Sequence, residues 1–219
     1  MNPEQEILVV PRSCLTGRGR FIRGDPANQL VDSLAPTCRW MPRREAELSG
    51  EWIQAIPVAL MMNREGQCCI LRRTRETRSD LEDRLTLVVG GHVDRHENTR
   101  NFHELLLETL LRELDEEVGV TSDSEPKLLG VVIDNSSVLA SRHVAFLFLI
   151  LTEQSVQANA PEEFAKHSKY SGRFLSVREL LDLRSRFDPW STVVIEDYLA
   201  PSEGVSIHRQ PRLPLPLAE

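Results

Sequence analysis

Glu113, Glu116 and Glu117 stand at i, i+3 and i+4 in the string Arg112-Glu113-Leu114-Asp115-Glu116-Glu117-Val118-Gly119-Val120. On a helix this spacing lines three carboxylates along one face. Stacked like charges repel unless a cation sits among them. Hard carboxylate oxygens suit Mg²⁺ or Mn²⁺, which also take water and phosphate oxygens. A solvated acidic helix face is the plainer alternative, and three glutamates alone do not decide between the two. Leu107, Leu111, Leu114 and Val118 recur at spacings of four, three and four, which predicts an apolar stripe packed on a sheet. The carboxylates are then expected a third of a turn or more from that stripe. Gly119 follows where a helix takes a left-handed C-terminal residue.

The elements that must hold this face are legible around it. A helix is predicted from about Phe102 to Val118. LTLVV (85–89) reads as a strand ending at Gly90-Gly91, whose backbone can approach a ligand closely. AIPVALMM and QCCILRR read as two strands separated by the turn-like Asn63-Arg64-Glu65-Gly66. EILVVP (6–11) is a short strand, and 12–50 reads as irregular with a short helix near 29–33. KLLGVVID (127–134) and RHVAFLFLIL (142–151) are strong strands, and 152–171 is a polar loop. GRFLS (172–176) leads into the helix VRELLDL. A final helix starts with Asp188 as N-cap and Pro189 at its first position, and runs to about Leu199. Several strands around one long helix, with helices at the end, make the fold class α/β in packed layers. An N-terminal extension (1–50) packs on a core domain (51–200), and a proline-rich tail (201–219) is loose.

Bulk properties narrow the function. Hydrophobic residues make up 41% of 219 positions and charged residues 27%, enough for a packed core. The net charge of −7, without a basic run, argues against a protein that grips nucleic acid. An anionic small molecule remains a fitting substrate if a metal ion offsets the repulsion. The longest apolar stretch, 144–151, is strand-sized, so no membrane span is expected. The N-terminus lacks the basic and apolar regions of a signal peptide, which implies a cytoplasmic protein. The four cysteines, Cys14, Cys38, Cys68 and Cys69, fit no zinc spacing and read as reduced thiols. Cys68 and Cys69 are adjacent in a strand and so point to opposite faces.

Residues 112–120 resemble the second half of the Nudix signature, G-x5-E-x7-R-E-U-x-E-E-x-G-U with U a bulky aliphatic, at every specified position. Gly91, followed by five residues and Glu97, resembles its first half. The double glycine after an apolar strand is a typical entry to this box. The departure is in the middle: fourteen residues separate Glu97 from Arg112 where the family has seven. Glu104 keeps the seven-residue spacing to Arg112 but lacks the matching glycine. Both Glu97 and Glu104 are therefore candidates for the supporting carboxylate that meets Arg112. The order ILVVPR, GGHV and FDPWS resembles a subgroup described as MutT-like phosphoesterases. The resemblance spans about 55–199.

The resemblance implies a Mg²⁺- or Mn²⁺-dependent hydrolase of a nucleoside diphosphate derivative, a pyrophosphatase in which water attacks phosphorus. Carried over, Glu113, Glu116 and Glu117 would be metal ligands, with Glu113 also a candidate to deprotonate water. Arg112 would orient the carboxylates, and Gly90 and Gly91 would shape the box. Outside the box, Glu163 and its neighbour Glu162 are candidate general bases, against the plain reading of exposed loop charges. Arg72 and Arg73 could hold phosphates, although strand alternation lets only one face the cleft. His92, His96 and His103 have poor zinc spacing, and His103-Glu104 lacks the second histidine of a zinc protease motif. Trp40, Trp52, Trp190 and His143 read first as packing residues. Two other readings stand beside the hydrolase: a nucleotide-sensing binding module, and a prenyl diphosphate isomerase with a reactive cysteine at Cys68-Cys69. The partner expected is a small-molecule diphosphate, with neither nucleic acid nor membrane involved, and residues 1–50 could contribute to a homodimer interface.

Overall fold

The computed structural model describes residues 4–72, 84–95, 101–120, 122, 124–136, 140–153 and 172–204. Its strands are β1 (Glu6–Pro11), β2 (Phe21–Arg23), β3 (Arg39–Pro42), β4 (Trp52–Met62), β5 (Cys68–Arg72), β6 (Leu85–Thr86), β7 (Val88–Gly90), β8 (Lys127–Ile133), β9 (His143–Leu151) and β10 (Arg173–Leu175). Its principal helices are α1 (Asp25–Leu34), α2 (Arg43–Leu48), α3 (Phe102–Val118), α4 (Val177–Asp182) and α5 (Pro189–Val194), the last continuing as a wider π-type turn over Ile195–Leu199.

Everything registers on β4. Its run WIQAIPVALMM is buried along almost its whole length, as a strand covered on both faces must be. β9 lies parallel to it from Gln54↔His143 to Met62↔Leu151, while β1 and β7 pair antiparallel along its other side. β8 and then β2 extend the sheet beyond β9, and β5 and β10 extend it the other way. Alternation sorts the side chains between two cores. Val144, Phe146, Phe148 and Ile150 of β9 meet α1 and α3, while Ala145 and Leu147 meet α4 and α5.

Several expectations are refined. The apolar strand 85–89 is divided into β6 and β7 because Leu87 gives its N–H to Ser191 Oγ of α5 at 2.8 Å instead of to a neighbouring strand. The segment 12–50 holds two helices and two strands rather than one short helix in irregular chain. α1 starts with Asp25-Pro26, and its face Ala27, Leu30, Val31 and Leu34 is buried on the sheet. Arg20 ties this region to the other end of the chain, donating to Asp197 Oδ2 at 2.5 Å and Glu196 Oε2 at 2.6 Å. The N-cap at Asp188 is as read, its carboxylate accepting from Ser191 N–H at 2.9 Å.

The strand β1 does more than close an edge. It pairs with β3 and with the start of β4, and its first residues also hold the chain just after β7. Ile7 bridges Asp94 antiparallel, Leu8 N–H donates to the Val93 carbonyl at 2.9 Å, and Arg95 N–H to the Glu6 carbonyl at 3.2 Å.

Gly90 sits where β7 crosses closest to β4. A Cβ there would stand 2.0 Å from the Pro57 carbonyl oxygen, which is backbone and cannot swing aside. Gly90→Ala is expected to destabilise the fold by about 3 kcal/mol, read as a lower urea midpoint with unchanged slope. An unchanged midpoint would show that the two strands are not held this tightly.

Candidate metal and phosphate site

α3 begins and ends as its sequence dictates. Asn101 caps it by accepting from His103 N–H at 3.0 Å. Gly119 closes it at φ 61°, where Gly119 N–H and Val120 N–H return to the Asp115 and Leu114 carbonyls.

The face it buries differs from the expected stripe. The row on the sheet is Phe102, Leu106, Leu110, Leu114 and Val118, with Leu105 beside it. Leu111 is 43% exposed and Leu107 only half-buried. The aromatic start of the i+4 row decides the rotation, because Phe102 packs edge-on against Phe146 at 5.5 Å. This changes where the acids lie. Glu113 and Glu117 follow buried Leu106 and Leu110 by seven residues, about 20° off on the helical wheel. They therefore continue the inward row instead of occupying a separate face. At Arg112 and Glu113 the helix also comes against the loop after β7.

Gly91 is the point of closest approach. A Cβ on it would stand 2.3 Å from both Cδ and Oε1 of Glu113, so a hydrogen there leaves the space the carboxylate fills. The Glu113 side chain is only 14% exposed. Its neighbour Arg112 spans the site. Arg112 Nη2 meets Glu113 Oε1 at 2.8 Å, Nη1 meets Glu116 Oε2 at 2.9 Å, and Nη2 lies 3.7 Å from Asp94 Oδ2. Nη2 also donates to the His92 carbonyl at 3.3 Å. Burial raises the Glu113 carboxyl above its ordinary value despite the opposing pull of Arg112, and Glu116 and Asp94 add to the rise. Burial alone would lower the Arg112 guanidinium, but Glu113, Glu116 and Asp94 outweigh it and hold it up.

The sequence-read residues are thus partly assembled. Arg112, Glu113 and Glu116 converge with the Gly90-Gly91 loop, and Glu117 is half-buried on the same row. Glu104 is exposed in the first turn of α3, two turns or about 12 Å along the axis from Arg112. Glu97, Arg73, Glu162 and Glu163 lie outside the described residues, as does the Arg72 side chain, whose backbone ends β5. Asp94 was missed by reading the sequence. Its partner lies eighteen residues away, and the strand that presents it is more than eighty residues away.

Among the described residues no three His, Cys, Asp or Glu side chains are gathered as a ready metal-ligating group. Arg112 draws Glu113 and Glu116 to itself. The donor chemistry still fits a hard divalent cation: each contact to Arg112 uses one carboxylate oxygen, and an ionised carboxylate offers about four acceptor positions. The absence of a side chain at Gly91 lets the most buried of these carboxylates, Glu113, reach the loop backbone.

A second polar group lies beside the loop. His92 Nε2 is 2.8 Å from Gln54 Oε1, His92 and His143 meet edge-on at 5.8 Å, and Trp190 meets His143 at 6.1 Å. Trp40 packs against the α3-side core, and Trp52 carries Arg39 over its ring at 3.8 Å.

The thiols give no support to a cysteine-based reaction. Cys69 faces the α3-side core and Cys68 the α5-side core, both fully buried. Burial pushes each thiol up to about 12, and Cys69 adds to the rise at Cys68. Neither forms a thiolate at neutral pH.

The NUDIX domain family model matches residues 51–198. Protein YmaB of Bacillus subtilis (strain 168) is 25% identical over 203 residues, spanning 88% of this chain and 97% of that protein. Among solved structures, Tm1382 superposes with a TM-score of 0.72 at 23% identity, over 90% of this chain and 100% of its own. The MutT protein from Methanosarcina mazei Go1 superposes with a TM-score of 0.50 at 22% identity, over 69% of this chain and 95% of its own. These solved structures share the fold. The span 51–198 is about two thirds of the chain, so the wider coverage by YmaB and Tm1382 takes in residues outside it.

Two predictions follow from this geometry. Gly91→Ala is expected to push the Glu113 carboxylate aside while costing less than about 1 kcal/mol in unfolding free energy, since the clash is with a side-chain tip. A large loss of stability would show that Glu113 is rigidly fixed. In the native protein Cys68 and Cys69 are expected to resist a thiol-specific disulfide reagent at pH 8 and to react on denaturation. Fast native labelling of either would contradict their burial.

Proposed function

The chain belongs to the NUDIX domain family and is a Nudix-type hydrolase, and on that premise we propose that it cleaves the diphosphate linkage of a nucleoside diphosphate derivative with Mg²⁺ or Mn²⁺. The observation that carries the proposal is the meeting of Gly91, Glu113, Glu116 and Arg112 at the end of α3. Glu113, Glu116 and Glu117 would hold the cation. Bound there, a divalent cation supplies Lewis acidity, an activated water and a template for the phosphates.

The remaining work falls to the chain. Arg112 fixes Glu113 and Glu116 relative to each other by charge-assisted bonds. Gly91, lacking a side chain, lets the Glu113 carboxylate lie directly against the loop backbone, a position any Cβ would deny it. Glu113, held by burial above its ordinary value, is suited to take a proton from water when it is ionised. Glu163 and the phosphate-holding roles of Arg72 and Arg73 stay within this proposal on the resemblance alone. A binding module that senses a nucleotide without cleaving it is the second reading. The retained carboxylates at 113, 116 and 117 favour turnover.

A panel of ADP-ribose, dinucleoside polyphosphates, NADH and nucleotide sugars with Mg²⁺, followed by product release, tests this directly. At least one class is expected to turn over. Glu116→Gln is expected to lower that turnover roughly 1000-fold, the scale of lost metal assistance. Because Glu116 is 52% exposed, folding stability should change by less than about 0.5 kcal/mol. No turnover with binding retained would establish the sensing module instead, and full activity of Glu116→Gln would contradict the metal assignment.

A further inference from the structure

The strand β1 lies outside the span of the family model, yet it holds the loop that faces the carboxylates. Glu6, Ile7 and Leu8 bind that loop through the two backbone hydrogen bonds that make the Ile7↔Asp94 bridge, and Glu6 pairs with Arg95 through its side chain. β1 is itself fixed by β3 and by the first residues of β4. The loop so held offers Arg112 Nη2 two acceptors: the His92 carbonyl at 3.3 Å and the Asp94 carboxylate at 3.7 Å. The first is a hydrogen bond and the second an ion pair without one. Glu113 and Glu116 take the same guanidinium from α3.

We propose that Asp94 is a carboxylate of the loop after β7 that positions Arg112, and that β1 is the element that delivers it there. The proposal rests on reading this face as the metal and phosphate site. Among the described residues, Glu104 is too far along α3 to serve, and Asp94 reaches Arg112 from a loop held by β1. An arginine bound only to Glu113 and Glu116 could move together with those two flexible side chains. Tied also to the loop, it sets their carboxylates relative to Gly91, where the cation and phosphate would approach. Asp94 is thus a positioning residue, acting through Arg112. It makes the N-terminal strand a working part of the site, beyond its packing role.

The test uses the full chain with Asp94→Asn, Asp94→Glu and Glu6→Gln. Four quantities are read: kcat and KM on the substrate that turns over, Mn²⁺ affinity with the metal alone, Tm, and the Arg112 guanidinium resonances by NMR. Asp94→Asn is expected to shift those resonances and to lower kcat about 10- to 100-fold with little change in KM, as loss of a ligand-orienting partner does. Tm should move by less than about 2 °C, since the pair is partly exposed. Asp94→Glu, keeping the charge, should recover most of the rate, and Glu6→Gln should act in the same direction more weakly. Wild-type kcat and unshifted resonances in Asp94→Asn would overturn the proposal. So would a loss of rate that only follows Tm, with Asp94→Glu no better than Asp94→Asn. If the wild-type protein neither turns over a substrate nor binds Mn²⁺, the reading of the site fails by itself. Asp94 is then judged by the guanidinium resonances alone, where a shift upholds its positioning role and no shift refutes it.

Discussion

One cation placed among acids organises this end of the molecule. Arg112 cannot lose its charge, and its planar fork can meet several oxygens at once. Here it meets Glu113 and Glu116 on its own helix, and Asp94 and the His92 carbonyl on the loop after β7. Without it, carboxylates at the end of the inward row of α3 would repel each other and the loop. With it, they are compressed into a small volume whose net charge remains negative and ready for a second cation. Glu113 shows the balance: burial raises its carboxyl even though a guanidinium lies 2.8 Å away.

The fold's task is to bring that arginine and those acids to the same place from different directions. α3 is anchored on the sheet by Phe102, Leu106, Leu110, Leu114 and Val118, which sets Arg112 and Glu113 against the loop after β7. β7 is pinned against β4 at Gly90, where no side chain fits. β1 then ties the following loop into the sheet. The central pair β4 and β9, buried on both faces, supplies a stiff reference for all three.

Local signals in the sequence were readable and the long-range ones were not. The bounds of α3, its left-handed glycine and the Asp188 cap follow from chemistry within a turn or two of chain, and they appear where that chemistry places them. The rotation of α3 is not legible locally, because two leucine rows compete in its sequence and only the partner surface around Phe146 selects between them. The helix at Asp25-Pro26 carries an Asp-Pro start signal like that at Asp188-Pro189, one position further into the helix. β2 and β3 are three and four residues long and exist through pairing with distant strands, which no local pattern records. In the site, the spacing of Glu113, Glu116 and Glu117 was visible, whereas Asp94 is meaningful only once β1 and α3 flank it.

The central claim is that the acidic end of α3 and the Gly91 loop together form a divalent-cation site. Titrating the protein with Mn²⁺ while recording backbone amide signals measures this most directly, because a bound paramagnetic ion broadens the amides nearest to it. The signals of Gly91 and of residues 113–117 are predicted to broaden first, at substoichiometric metal, and Mg²⁺ should restore them by competition. Broadening centred elsewhere, or uniform weak broadening without saturation, would contradict the account.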